Sequence, residues 1–364
     1  MGALSGDRFP ATGLRMTSRA LLLTPSHGRG GGIERYVETL EWAFAEQGVE
    51  YRRVDLSRSG PSAHARMLAQ AREKIRASPR PTRLVLAHRA LLPVAWLLAK
   101  GSAVCGISLV CHGNDVWGTR PLARRSLENR LMRGAGVRVV AVSSFTAGAL
   151  AGGCHAGVLP PGLSRAWFDA LVDESARARV QGNGVHLVTA FRLGQWRSKG
   201  LPELLAAVTA LHRPDIRVTV CGTGEPAPEL RRLVDQHPCC RLRPGVTDRE
   251  LARQLADADL FVLATRTISG RNATGEGFGL VLLEAQVAGT PVVGPAFGGS
   301  HDAYVDGVTG VAPTDETAES LAKVLDELLR DRGRLERMGK RAAEWARESF
   351  APERYASRAV GRLL

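Results

Sequence analysis

Residues 276–284 read EGFGLVLLE, a loop running into a helix with a carboxylate at each end. Gly275, Gly277 and Gly279 let the backbone turn tightly and approach a ligand closely. Leu280, Val281, Leu282 and Leu283 open an apolar helix that continues through Glu284 and Ala285. The free N–H groups of its first turn form an anion site suited to phosphate. Glu276 stands in the loop before that site, and Glu284 is expected about two turns further on. The spacing suits a ligand that carries phosphate between hydroxyl-rich groups, and a nucleotide-sugar is such a ligand. An ordinary loop-to-helix junction with two solvated glutamates would read the same in isolation, so the remainder of the chain has to decide.

Working outward, short apolar runs alternate with longer helical stretches. Strands are expected at 19–24 (RALLLT), 84–87, 107–111 and 137–142. After Pro160 and Pro161 the pattern restarts at 185–190, 216–221, 260–264 and 291–293. Apolar strands separated by helices indicate parallel sheets covered on both faces. The restart near residue 184 makes two such α/β units, with a linker in 158–170 (VLPPGLSRAWFDA) and 181–184 (QGNG). In open sheets of this kind ligands collect at the carboxyl ends of the strands.

The 276–284 segment resembles the Glu-x7-Glu signature of family 4 glycosyltransferases, retaining enzymes of the GT-B fold. The flanking AQVAGTPVVG (285–294) and GGSHDAYVDGVTG (298–310) are similar to the same family, and further matches run in the family's order from about residue 20 to 315. The resemblance implies two Rossmann-like domains facing across a cleft, with a C-terminal helix crossing back to the first. The expected division is a leader at 1–17, an acceptor-side domain at 18–170, a linker at 171–184, a nucleotide-sugar domain at 185–340 and a returning helix at 341–364. It also implies transfer of a hexosyl group from a UDP- or GDP-linked sugar to an acceptor hydroxyl on a polysaccharide or glycolipid precursor or a secondary metabolite. No cofactor and no metal are expected.

Residue roles carry over position by position. Gly30, Gly31 and Gly32 match the family's N-terminal glycine loop, which contacts the donor; read alone, they are a flexible turn, and Glu34 and Arg35 after them a solvated first helical turn. His112, in CHGNDVWG, matches the histidine that contacts the donor sugar near the reacting carbon. Asp115 orients His112 or the acceptor, or caps a helix. Arg192 and Lys199, in FRLGQWRSKG, match the diphosphate clamp, where fixed cations stabilise charge building on the leaving group; Arg197 between them could replace one partner. Glu276 is assigned to the donor sugar hydroxyls. Phe278, Gly279 and Leu280 are assigned to backbone N–H contacts with sugar and phosphate, and Glu284 to the ribose hydroxyls. Ser143 or Ser144 caps the following helix, and backbone near Val246 meets the base.

Composition narrows the classes. The chain has 364 residues, 44% hydrophobic, with a net charge of +13 supplied almost wholly by arginine. That charge fits a basic surface without a partner, an electropositive cleft for a diphosphate, or attraction to an anionic membrane. Aromatics at 5% leave little for base-stacking platforms, so no nucleic acid partner is expected. The basic stretch 121–136 offers Leu122, Leu127, Leu131 and Met132 as apolar positions for a membrane surface. The six cysteines contain no CxxC pair and read as buried thiols. No run reaches transmembrane length and the N-terminus lacks a signal-peptide core, so a cytoplasmic protein, with possible peripheral contact at the inner membrane face, is expected. The competing readings are a sugar-nucleotide epimerase of the same fold, a non-catalytic nucleotide-sugar-binding protein and a membrane-surface protein.

Overall fold

The computed structural model describes residues 19–25, 31–56, 60–113, 116, 121–177, 184–268, 270 and 273–364. The expected leader, Gly30, Asp115 and most of the QGNG linker lie outside the described residues.

Two six-stranded parallel sheets make up the molecule. The first has the order β2-β1-β3-β4-β5-β6, with β1 Arg19–Thr24, β2 Tyr51–Asp55, β3 Thr82–Leu86, β4 Val104–Cys111, β5 Val137–Ala141 and β6 Ala156–Val158. The second has the order β12-β11-β10-β7-β8-β9, with β7 Val185–Ala190, β8 Ile216–Gly222, β9 Cys240–Pro244, β10 Leu260–Val262, β11 Val292–Val293 and β12 Gly310–Val311. The central strands β1 and β7 coincide with the runs read from sequence, because both faces of a central parallel strand are buried and apolar residues fill most of it, with Arg19, Thr24, His186 and Thr189 as the polar exceptions. The edge strands β2 (YRRVD) and β9 (CRLRP) were not expected. One side of an edge strand meets solvent, so its charged residues hide the strand pattern.

Each sheet is covered on both faces. One apolar cluster runs from Leu22, Val110 and Val140 of the first sheet through Trp167, Phe168 and Leu171 to Phe261, Leu282 and Leu283 of the second domain. Leu21, Leu84 and Leu109 pack in a separate cluster on the other face of the first sheet, and Leu187, Val218 and Val262 in a third on the far face of the second.

Helix Arg165–Ser175, which spans the expected boundary between the first domain and the linker, packs on helices Asp248–Asp257 and Leu280–Val287 of the second domain. The C-terminal stretch is two helices, not one. Arg332–Ser349 packs on Leu280–Val287 in the second domain. Pro352, which has no N–H to continue a helix, starts Pro352–Leu363, and this last helix returns to pack on helix Gly32–Glu46. Its end is pinned to the first sheet: Ser108 Oγ donates to the Leu363 carbonyl (2.6 Å) and Arg138 Nη1 to the Arg362 carbonyl (2.9 Å).

Candidate active site

The loops that leave the carboxyl ends of β4, β5, β7 and β10 converge. After β7 the chain passes through Arg192 to Lys199 and lies along the segment after β10, where the Arg266 amide donates to the Ser198 carbonyl at 2.8 Å. This brings Lys199 to Glu276: Lys199 Nζ donates to Glu276 Oε2 at 2.9 Å, and Thr265 Oγ1 donates to the same oxygen at 3.1 Å. The pair is mostly shielded, with 21% and 14% of the two side chains exposed, so its attraction is less screened than that of a surface pair. Arg197 lies over the Trp196 ring at 4.0 Å. Of the two cationic side chains in the 197–199 segment, it is Lys199 that reaches the carboxylate.

Arg192 turns toward the first domain. A β-carbon on Gly31 would fall 2.0 Å from its Nη2, so the glycine loop rests directly on the guanidinium, and Glu34 Oε2 stands 4.0 Å from Nη2. Gly32 is exposed at the start of its helix. Thus Arg192 and Gly31 meet each other, and Lys199 and Glu276 meet each other, across separate contacts.

His112 follows β4, half-buried, with the Tyr36 ring edge-on at 5.0 Å. Its neighbour Gly113 abuts the glutamate loop: a β-carbon on Gly277 would lie 2.7 Å from the Gly113 amide nitrogen. Only glycine at 277 allows the two backbones this close. Ser143 caps the helix Ser144–Leu150 by accepting from the Thr146 amide. Ser144 is instead bound by Asp302 of the second domain, through its amide (2.6 Å) and its hydroxyl (2.7 Å).

Helix Leu280–Val287 begins at Gly279, whose φ of 83° is left-handed. Leu280 is half-buried at its first position. The Phe278 side chain is buried, its ring 6.0 Å from that of Phe350, so only its backbone is available for a ligand contact. Glu284 is the helix's fifth residue and is 4% exposed. Trp167 Nε1 donates to its Oε1 at 3.0 Å, and Arg35 Nε stands 3.7 Å from the same oxygen. Arg35 also donates to Asp248 Oδ1 at 2.7 Å and lies over the Trp167 ring at 4.7 Å. Burial by itself lowers the Arg35 pKa, but Glu284 and Asp248 outweigh it and the net shift is upward. The expectation that Arg35 is a solvated turn residue is therefore corrected: its charge is spent on two carboxylates of the second domain.

Trp167, Thr265, Asp248 and Asp302 were not singled out in the sequence. Trp167 left one trace there, an aromatic residue in the linker stretch. The others are common residue types; the partners of Asp248 and Asp302 lie far along the chain, and Thr265, 11 positions from Glu276, carries no motif of its own. Among the described residues, no group of three His, Cys, Asp or Glu could hold a metal ion. A cavity of about 1020 Å³ opens at the other end of the second sheet, lined by Val185, His186, Asp259, Lys340 and Arg347 among others, and includes none of these site residues.

A sequence model of the family described as "Glycosyl transferases group 1" matches residues 187–345. The GDP-mannose-dependent alpha-(1-6)-phosphatidylinositol monomannoside mannosyltransferase of Mycolicibacterium smegmatis is 31% identical over 276 residues, covering 72% of this chain and 71% of the relative. The chain belongs to the group 1 glycosyltransferases. The D-inositol 3-phosphate glycosyltransferase of Paenarthrobacter aurescens is 27% identical over 397 aligned positions, covering 92% of each chain. Among solved structures, sucrose-phosphate synthase from Thermosynechococcus elongatus matches with a TM-score of 0.75 at 20% identity, over 95% of this chain and 98% of that one. WaaG, a glycosyltransferase involved in lipopolysaccharide biosynthesis, matches with a TM-score of 0.65 at 17% identity, over 94% and 100%. The glycosyltransferase thus has the GT-B fold, and the family match covers the domain that carries Arg192, Lys199, Glu276 and Glu284.

Proposed function

We propose that this glycosyltransferase is a retaining, family 4 type enzyme. In this reading it moves a hexosyl group from a nucleotide-diphosphate sugar, held mainly by the second domain, to a hydroxyl of a glycolipid or glycan acceptor at the first. The observation that carries the reading is the Lys199–Glu276 pair, set at the carboxyl ends of the strands and closed over by Gly113. Glu276 takes the sugar hydroxyls. Lys199 and Arg192 stabilise the diphosphate as the bond between C1 and its phosphate oxygen breaks. The acceptor oxygen attacks C1 from the same face, and its proton passes to the leaving phosphate oxygen, so no protein nucleophile is needed. His112 supports the sugar from the β4 side, and the glycine loop at Gly31 and Gly32 closes the donor's edge. The amides of Gly279 and Leu280 and the start of the helix face the phosphates, and Glu284 takes the ribose.

These fixed cations and the helix start are the reason to propose that no divalent metal or other cofactor is required. GDP-mannose is the donor to test first, because a relative matched across most of its length carries that donor in its name. An epimerase or a non-catalytic binder is not favoured, since the relatives are named as transferases. The test is a thermal-shift screen with GDP, UDP and their sugar conjugates, in EDTA and in Mg²⁺, followed by NMR of the product's anomeric configuration. A nucleotide-specific rise independent of metal and a retained anomer are expected. No shift with any nucleotide would sink the reading.

Peripheral contact with an anionic membrane on the cytoplasmic side is proposed as well, on one observation. Trp96 (47% exposed) and Leu97 stand on helix Leu92–Leu98, with Lys100 over the Trp96 ring. That helix packs against the basic helix Leu122–Met132, where Leu127 is 49% exposed beside Arg124, Arg125 and Arg130. Leu131 and Met132, expected on the apolar surface, are instead buried in the first domain's core. Among the described residues no helix is long and apolar enough to cross a membrane. Co-sedimentation with phosphatidylglycerol vesicles at low salt, lost at high salt, is expected; no binding at low salt removes this part.

A further inference from the structure

We propose that Trp167 is a positioning residue for the donor ribose, acting through Glu284. This rests on the reading that Glu284 accepts from the ribose hydroxyls. Trp167 is 6% exposed and Glu284 4%. A buried indole N–H and a buried carboxylate each require a partner, and here each partly satisfies the other at 3.0 Å. Both contacts made to Glu284 by the described residues, from Trp167 and from Arg35, fall on Oε1. Holding Oε1 sets the carboxylate plane and assigns Oε2 to the ligand. A carboxylate free to rotate would have to be ordered when the nucleotide binds, at a cost in affinity.

Trp167 lies on helix Arg165–Ser175, and Arg35 on helix Gly32–Glu46, both outside the 187–345 segment matched by the family. The ribose pocket of the second domain is therefore completed by side chains from the first half of the chain. Arg35 stacks on the indole and reaches Asp248, locking the tryptophan from its outer side. A purely structural bond would matter to stability alone. A positioning bond matters to any ligand that presents ribose hydroxyls, and not to one that lacks them.

The experiment compares GDP and UDP with their 2′,3′-dideoxy counterparts by titration calorimetry on wild type and Trp167→Phe, with melting curves to verify folding. Trp167→Phe is expected to weaken the ribonucleotide roughly tenfold, the effect of losing one hydrogen bond to a charged group, and to leave the dideoxy ligand within about twofold. In Glu284→Gln the Trp167→Phe change is expected to add little further loss. If Trp167→Phe does not fold, Trp167→Met keeps apolar bulk without an N–H or O–H donor and is expected to show the same ribose-dependent loss. An equal loss for both ligands, or no loss, overturns the positioning role while leaving the nucleotide site standing. Failure of wild type to bind any nucleotide overturns the underlying reading, and this inference with it.

Discussion

Glu276 and Glu284 stand eight residues apart and keep opposite company. Glu276 sits in a loop, and the side chains on it, Lys199 and Thr265, both come from its own domain. Glu284 sits on a helix, and the side chains on it, Trp167 and Arg35, come from the first half of the chain. The first carboxylate forms a site that one domain can assemble alone. The second is completed only when the first domain and the linker helix are in place. Separating the second domain from both would thus keep the Lys199–Glu276 pair and release Glu284 from its two side-chain partners.

The largest expected effect tests the Glu276 side. Lys199→Ala should lower turnover about 10²- to 10³-fold with a much smaller change in donor affinity, because leaving-group charge peaks in the transition state. Steady-state kinetics with separate kcat and KM decide it; a loss confined to affinity would show that Lys199 is a binding residue only. Next, Glu284→Ala should weaken nucleotide binding about 10- to 30-fold with turnover at saturation less affected. Unchanged affinity would remove Glu284 from the ribose and dissolve the contrast. The smallest effect sharpens the comparison. Arg35→Gln removes a partly exposed cation from Glu284 but leaves the Trp167 bond, so the denaturation midpoint should fall by the equivalent of about 1 kcal/mol. An unmoved midpoint would mean that the indole alone holds the carboxylate.

The same contrast explains what could be read early. Lys199, Arg192, Glu276 and Glu284 were picked out because local motifs mark them: a strand end, a glycine turn and a helix start, all within one domain. Trp167 and Arg35 meet Glu284 across 117 and 249 positions of sequence, and no local pattern encodes such a meeting. The strands divide the same way. β1 and β7 carry mostly apolar residues and are legible; β2 and β9, at the sheet edges, carry two arginines each among five residues and are not. The return of the chain to the first domain was expected, but Pro352 places it in a separate final helix.

By itself the sequence determined two parallel α/β units and which candidate site residues follow the carboxyl ends of their strands. Hydrophobic burial imposes a period on each strand and helix, and tight turns demand glycine at particular positions. Only the tertiary structure decided that Lys199 and not Arg197 meets Glu276, that Arg192 turns toward Gly31, and that Trp167 and Arg35 hold Glu284. Those choices depend on how two independently packed sheets lie against each other, a property of the whole surface and of no single segment.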